Sequence, residues 1–208
     1  MSAIRLEVWS DYLCPWCHLA AHRLALLEAE AEGGLELAWR SFLLRPHPRG
    51  ERDLLEFVRY TQSWTRPAAE PDAPGFRVWE TSEGPPSHSV PPHLVAKAAR
   101  AADPLRARAL HERLLRAYFA ENRDISREPV LRELWTEVGL PEAGFSAASD
   151  PAHLRATIDE HNQAVELGIT GVPAVRAEGS DAYALGAQPL AVYRRWFARL
   201  RERAEATA

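Results

Sequence analysis

The chain has 208 residues, enough to bury one substantial hydrophobic core, and carries 25 Lys and Arg against 29 Asp and Glu for a formal net charge of -4. That balance excludes the basic footprint of a nucleic-acid or anionic-lipid binder, so soluble partners are expected. Charges interrupt every apolar run before the about 18 residues needed to cross a membrane, which argues against a membrane partner. Lys97 is the single lysine, and the arginine-, alanine- and proline-rich composition reads as codon bias with no functional weight. The opening Met1-Ser2-Ala3-Ile4-Arg5 lacks the basic start, apolar stretch and small-residue cleavage site of an export signal, so the cytoplasm is the expected location. In that reducing compartment two cysteines imply reactivity or metal binding rather than a structural cross-link.

Ile4, Leu6 and Val8 alternate with Arg5 and Glu7, the two-residue period of a half-buried strand ending near Trp9. From Pro15 to about Glu32, Leu19, Leu24, Leu27 and the intervening alanines fall at helical spacing, and Gly33-Gly34 supply a stop. Leu35, Leu37 and Trp39 alternate again through Phe42, predicting a second strand parallel to the first across a crossover helix. Between Arg45 and Pro92 a proline-rich stretch predicts long loops or short helices, with a helix over Leu54 to Trp64. Helices are expected from Pro92 to about Ala102, Leu105 to Ala120, Pro129 to Val138 and Pro151 to Leu167, with Asp103-Pro104, Glu128-Pro129 and Asp150-Pro151 as starts.

After Gly168 the period changes. Val172 to Ala177 and Ala182 to Leu185 read as a hairpin around Glu178-Gly179-Ser180-Asp181. Gln188-Pro189 opens a last helix whose Tyr193, Trp196, Phe197 and Leu200 form one apolar stripe for the core. The order is βαβ, helices, ββα: an α/β chain with a core of residues 1–45 and 168–208 and an all-helical insertion over 46–167.

Both cysteines lie in Cys14-Pro15-Trp16-Cys17, between a strand and the first turn of a helix. There Cys14 faces unsatisfied backbone N–H groups and the positive end of the helix dipole, which favour the thiolate. Cys17, one turn deeper, is placed to close a disulfide, so Cys14 attacks and Cys17 resolves. Pro15 costs no hydrogen bond at a helix start and stiffens the loop, while Trp16 offers a partly exposed aromatic face for substrate.

This motif, the later Thr170-Gly171-Val172-Pro173 and Gly186-Ala187-Gln188-Pro189, and Ala117-Tyr118-Phe119, Asp124-Ile125-Ser126 and Val138-Gly139-Leu140 in the insertion resemble the DsbA family, specifically its cytosolic FrnE-like branch. The resemblance covers nearly the whole chain. It implies a thioredoxin-like fold interrupted by helices, and a cis Val172–Pro173 bond facing the disulfide, where the backbone of Val172 would pair with an extended substrate segment. The implied activity is protein thiol–disulfide exchange through a redox-active disulfide with no further cofactor. Substrates would be protein thiols and disulfides or small thiols, with glutathione as a candidate electron donor or acceptor, in a monomer or homodimer.

The competing readings are these. Cys14, Cys17, His18 and His22 share one helical face as metal ligands would, but one straight helix rarely closes a tetrahedron and no second pair completes it. His18 is expected at the site rim, His22 on the surface, and Glu7 and Asp11 as solvated acids without a role. Pro173 alone reads as a strand-edge proline. Two other functions stay open: a redox-sensing chaperone, and a glutathione-dependent transferase or isomerase like the kappa-class transferases and 2-hydroxychromene-2-carboxylate isomerases. Members of that second group typically carry serine at the Cys14 position.

Overall fold

The computed structural model describes residues 3–48, 50 and 53–207. Strand β1 (Ile4–Ser10) leads through a short turn into α1 (Pro15–Glu30), and β2 (Leu35–Ser41) returns parallel to β1 in the register Leu6 to Leu37 and Val8 to Trp39. Helix α1 stops where the chain turns left-handed at Glu32 (φ 47°) and Gly33 (φ 86°), one residue before the expected pair of glycines is complete.

The insertion begins with α2 (Leu54–Thr61), followed by a 3-10 turn (Gln62–Trp64) and the short α3 (Thr65–Ala68), so the expected Leu54–Trp64 helix is split. Then come α4 (Val90–Ala102), α5 (Pro104–Phe119), α6 (Glu128–Glu137), a 3-10 stretch (Glu142–Ser149) that the sequence pattern does not reveal, and α7 (Pro151–Glu166). Asp103 and Asp150 cap α5 and α7 by accepting from Leu105 N and Arg106 N, and from Ala152 N. Glu128 is instead the first residue of α6 and makes no cap; Arg127, which precedes it, makes no side-chain cap bond.

Strands β3 (Ala174–Ala177) and β4 (Tyr183–Leu185) and helix α8 (Leu190–Thr207) complete the fold. Strand β3 starts two residues later than the pattern suggests, because Pro173 has no N–H for the ladder; the Val172–Pro173 bond is cis. The sheet order is β2-β1-β3-β4, with β3 antiparallel to both β1 and β4. The fold is thus a four-stranded α/β sheet of thioredoxin-like topology, interrupted by helices.

Three apolar clusters explain the layers. Leu6, Val8, Leu24, Leu27, Val175, Tyr193 and Phe197 pack α1 and α8 onto one sheet face, as the α8 stripe predicts. On the other face Trp9, Phe42, Ala164, Ile169 and Ala174 seat the end of α7. The insertion has its own aromatic centre, in which Phe57, Trp64, Trp79, Tyr118 and Phe119 meet edge-on or tilted at 4.6–6.3 Å, continuous with Tyr12 and Leu13 beside the motif. No helix among the described residues is long and apolar enough to span a membrane.

Candidate active site

The Asp11–Cys14 turn closes with Cys14 N donating to Asp11 O at 3.1 Å, and it delivers Cys14 to the N-cap of α1 with Pro15 at the first helical position. No side chain caps this helix, so its first-turn N–H groups face the end at which the Cys14 sulfur sits. Both thiols are free. The Cys14 Sγ–H donates to the carbonyl of Val172 at 3.4 Å, across the cis bond that precedes buried Pro173. Residues 158 positions apart thereby meet at one sulfur.

Cys17 is fully buried. Burial pushes its thiol up, as do its hydrogen bond and charge interaction with Cys14, whereas a hydroxyl donor from Ser10 and the N–H of Asp11 pull the other way. A thiol so placed is held in its protonated form. Trp16 is 37 % exposed, a half-covered ring at the rim, and Pro15 is half-buried.

Several neighbours differ from their sequence expectations. His18 is buried rather than at the rim: its ring stacks on Phe119 at 5.3 Å and meets Phe76 edge-on at 5.0 Å, with Nε2 hydrogen-bonded to the Gly75 carbonyl at 3.2 Å. Burial lowers it to about 4, so it is neutral at physiological pH and serves as the apolar seam between α1 and the insertion. His22 is half-buried. Neither acid is solvated. Glu7 is buried and bridges Arg40 on β2 (2.9 Å) to Arg176, its antiparallel partner on β3 (2.5 Å). Burial opposes its charge, but the two guanidiniums outweigh it and hold the carboxyl below its ordinary range. Asp11 is fully buried and raised to about 6 by desolvation, against hydrogen bonds from Ser89, Leu13 and Leu44 and the charge of Arg45.

Arg23 escapes sequence reasoning altogether, since an arginine on an amphipathic helix reads as solvent-facing. Its side chain is 2 % exposed and grips Asp72 through two nitrogens, Glu70, and the carbonyls of Ala187 and Gln188. It ties α1 to the insertion and to the loop that, through Gly186 N donating to Pro173 O at 2.7 Å, abuts the cis proline.

A cavity of about 310 Å³ opens on the other flank of α1, between β2, α4 and α5, with Ala21, Trp39, Ala96 and His111 in its walls. Neither cysteine lines it.

Comparison with known proteins places this geometry. The chain is 28 % identical over 189 residues to the uncharacterized protein YwbO of Bacillus subtilis (strain 168), covering 82 % of this chain and 84 % of that one. It superposes on the cytosolic disulfide reductase DsbM of Pseudomonas aeruginosa with a TM-score of 0.76 at 25 % identity over 97 % and 99 % of the two chains, and on the same protein solved with GSH at 0.72. A 2-hydroxychromene-2-carboxylate isomerase shares the fold, with a TM-score of 0.68 at 16 % identity over 98 % and 99 %. A family model for the DSBA-like thioredoxin domain matches residues 5–197, and the chain belongs to that family.

Proposed function

We propose that the chain is a cytoplasmic thiol–disulfide oxidoreductase in which Cys14 attacks and Cys17 resolves. The observation that carries this reading is the Cys14 sulfur at the head of α1, 3.4 Å from the Val172 carbonyl that precedes a cis proline. Helix N-termini favour sulfur as the anion, which is the attacking species. The Cys14 thiolate attacks one sulfur of a substrate disulfide and expels the other as a thiolate that takes up a proton. Cys17 then loses its proton and attacks the Cys14 sulfur, releasing the second substrate thiol and leaving a Cys14–Cys17 disulfide. Two thiols such as glutathione, oxidised to their disulfide, return the enzyme to the dithiol. With an oxidised start the same steps run in reverse.

The backbone of Val172 and the exposed face of Trp16 bind the substrate segment, Pro173 shapes that edge without offering an N–H, and Pro15 stiffens the loop. Support for a small thiol as co-substrate comes from the DsbM relative, which has been solved with GSH. No metal or further cofactor enters the scheme, and two cysteines in place of serine favour exchange over transferase or isomerase chemistry.

Insulin reduction with glutathione, comparing wild type with Cys14→Ser, tests the proposal. Loss of turnover in the variant is expected, with a stable glutathione adduct accumulating on Cys14 in Cys17→Ser. Equal turnover in wild type and Cys14→Ser refutes it.

A further inference from the structure

Asp11 carries a buried charge that the exchange scheme does not use. Its Oδ1 accepts from Leu13 N at 2.7 Å within its own turn, and its Oδ2 accepts from Leu44 N at 2.6 Å, just beyond β2. Ser89, the residue before α4, donates its hydroxyl to the same carboxylate. Ser89 is itself fixed to Arg45, accepting Arg45 N at its Oγ (3.1 Å) and donating its N–H to Arg45 O (2.8 Å). Three separate segments, the exit of β1, the exit of β2 and the entry to α4, therefore converge on one carboxylate. The charged group acting on it is Arg45, from the chain leaving β2, while the phenol of Tyr12 on its own turn stays un-ionised.

The main chain of Asp11 faces the cysteines. Its carbonyl accepts Cys14 N, and its N–H, with the hydroxyl of the adjacent Ser10, is a donor that favours the Cys17 sulfur as the anion. These two donors act on a sulfur that burial otherwise keeps protonated. Their aim depends on the turn, and the turn depends on the Asp11 side chain. With its oxygens engaged by Leu13, Leu44 and Ser89, the carboxylate works through its own backbone rather than as a base.

We propose that Asp11 is the positioning residue for the resolving step: by clamping the active-site turn to β2 and α4 it holds the Asp11 N–H and the Ser10 hydroxyl on Cys17. In the mixed disulfide, Cys17 gives up its proton to solvent and attacks the Cys14 sulfur, forming the Cys14–Cys17 bond as the Cys14–substrate bond breaks and the substrate leaves as thiolate. The two donors stabilise the Cys17 anion in that step and the reduced pair at rest. This inference rests on the exchange reaction proposed above. It adds that the helical insertion reaches the second sulfur through Ser89 and Asp11.

The test is Asp11→Asn in the full chain, whose amide keeps one acceptor oxygen but turns an NH2 toward a backbone N–H. The Cys14–Cys17 equilibrium is read in a dithiothreitol buffer, which requires no turnover. It is expected to shift about tenfold toward the disulfide, a potential about 30 mV more negative for a two-electron couple. Release of glutathione from the Cys14 adduct should slow about tenfold, while iodoacetamide alkylation of Cys14 stays within about twofold. Unchanged equilibrium and release overturn the proposal. So does an equal fall in Cys14 alkylation, which would mean a turn that is merely disordered. Should Asp11→Asn fail to fold, Ser89→Ala removes one donor from the same carboxylate, and a shift in the same direction of about threefold is expected; no shift overturns it. A wild type without insulin turnover refutes the proposed function, yet the dithiothreitol comparison still decides the role of Asp11.

Discussion

Replacing Arg23 by methionine removes a guanidinium that three parts of the chain share. Six hydrogen bonds are lost: three to Asp72 (3.1, 2.9 and 2.6 Å), one to Glu70 (2.7 Å), and one each to the carbonyls of Ala187 (3.0 Å) and Gln188 (3.2 Å). Breaking a buried ion pair by deleting one partner costs about 3–5 kcal/mol, chiefly because the other charge is stranded. Here Glu70 and Asp72 keep 36 % and 27 % of their side chains in solvent, so neither is stranded and the low end applies, about 3 kcal/mol. For a chain of this size that corresponds to a fall of about 6–12 °C in Tm.

The pH dependence supplies a second check. Arg23 holds the Asp72 carboxyl below its ordinary value of 3.8, chiefly through their hydrogen bonds. A carboxyl whose folded-state value is depressed stabilises the fold above its unfolded value, and that stability is lost as pH falls through the folded one. The deficit of Arg23→Met should therefore be full at neutral pH and shrink below about pH 4. Urea unfolding of both proteins across that range measures it. A loss under about 1 kcal/mol, or a deficit that ignores pH, would refute the assignment of Arg23 as the tie.

Two further outcomes are expected. His18→Phe keeps the stack on Phe119 but loses the Gly75 bond, costing about 1 kcal/mol at neutral pH. Because burial lowers His18 to about 4 from 6.5, its stabilisation is full above 6.5 and lost as pH falls through 4, so the variant should be the less acid-sensitive protein over that window in thermal scans. Leu24→Ala empties a fully buried site between α1 and the sheet and should cost about 3 kcal/mol by urea titration at unchanged Cys14 alkylation; a cost below about 1 kcal/mol would mean the layer is not close-packed there.

The strands and helices were legible where pattern and physics coincide locally. The alternation through β1 and β2, the Asp-Pro starts of α5 and α7, and the apolar stripe of α8 each depend on neighbours within a turn or two. The missed 3-10 stretch at Glu142–Ser149 has no such period, and β3 starts late because Pro173, inside the alternating run, has no N–H for the ladder. The two cysteines were legible for the same local reason, since a strand, a turn and a helix start place them without reference to the rest of the chain.

Charge and burial behaved differently. Glu7, Asp11, His18 and Arg23 are polar or charged types; the first three read in sequence as solvated or rim residues, and Arg23 stands out in no sequence pattern. All four are buried, because partners 33 to 169 residues away supply the hydrogen bonds and counter-charges that make burial tolerable. Sequence alone determined the α/β order and the helical insertion, both of which follow from short-range periodicity. Only the tertiary structure decided which polar groups lie beneath the active-site turn, since the free energy of a buried charge depends on what the fold brings to it from afar.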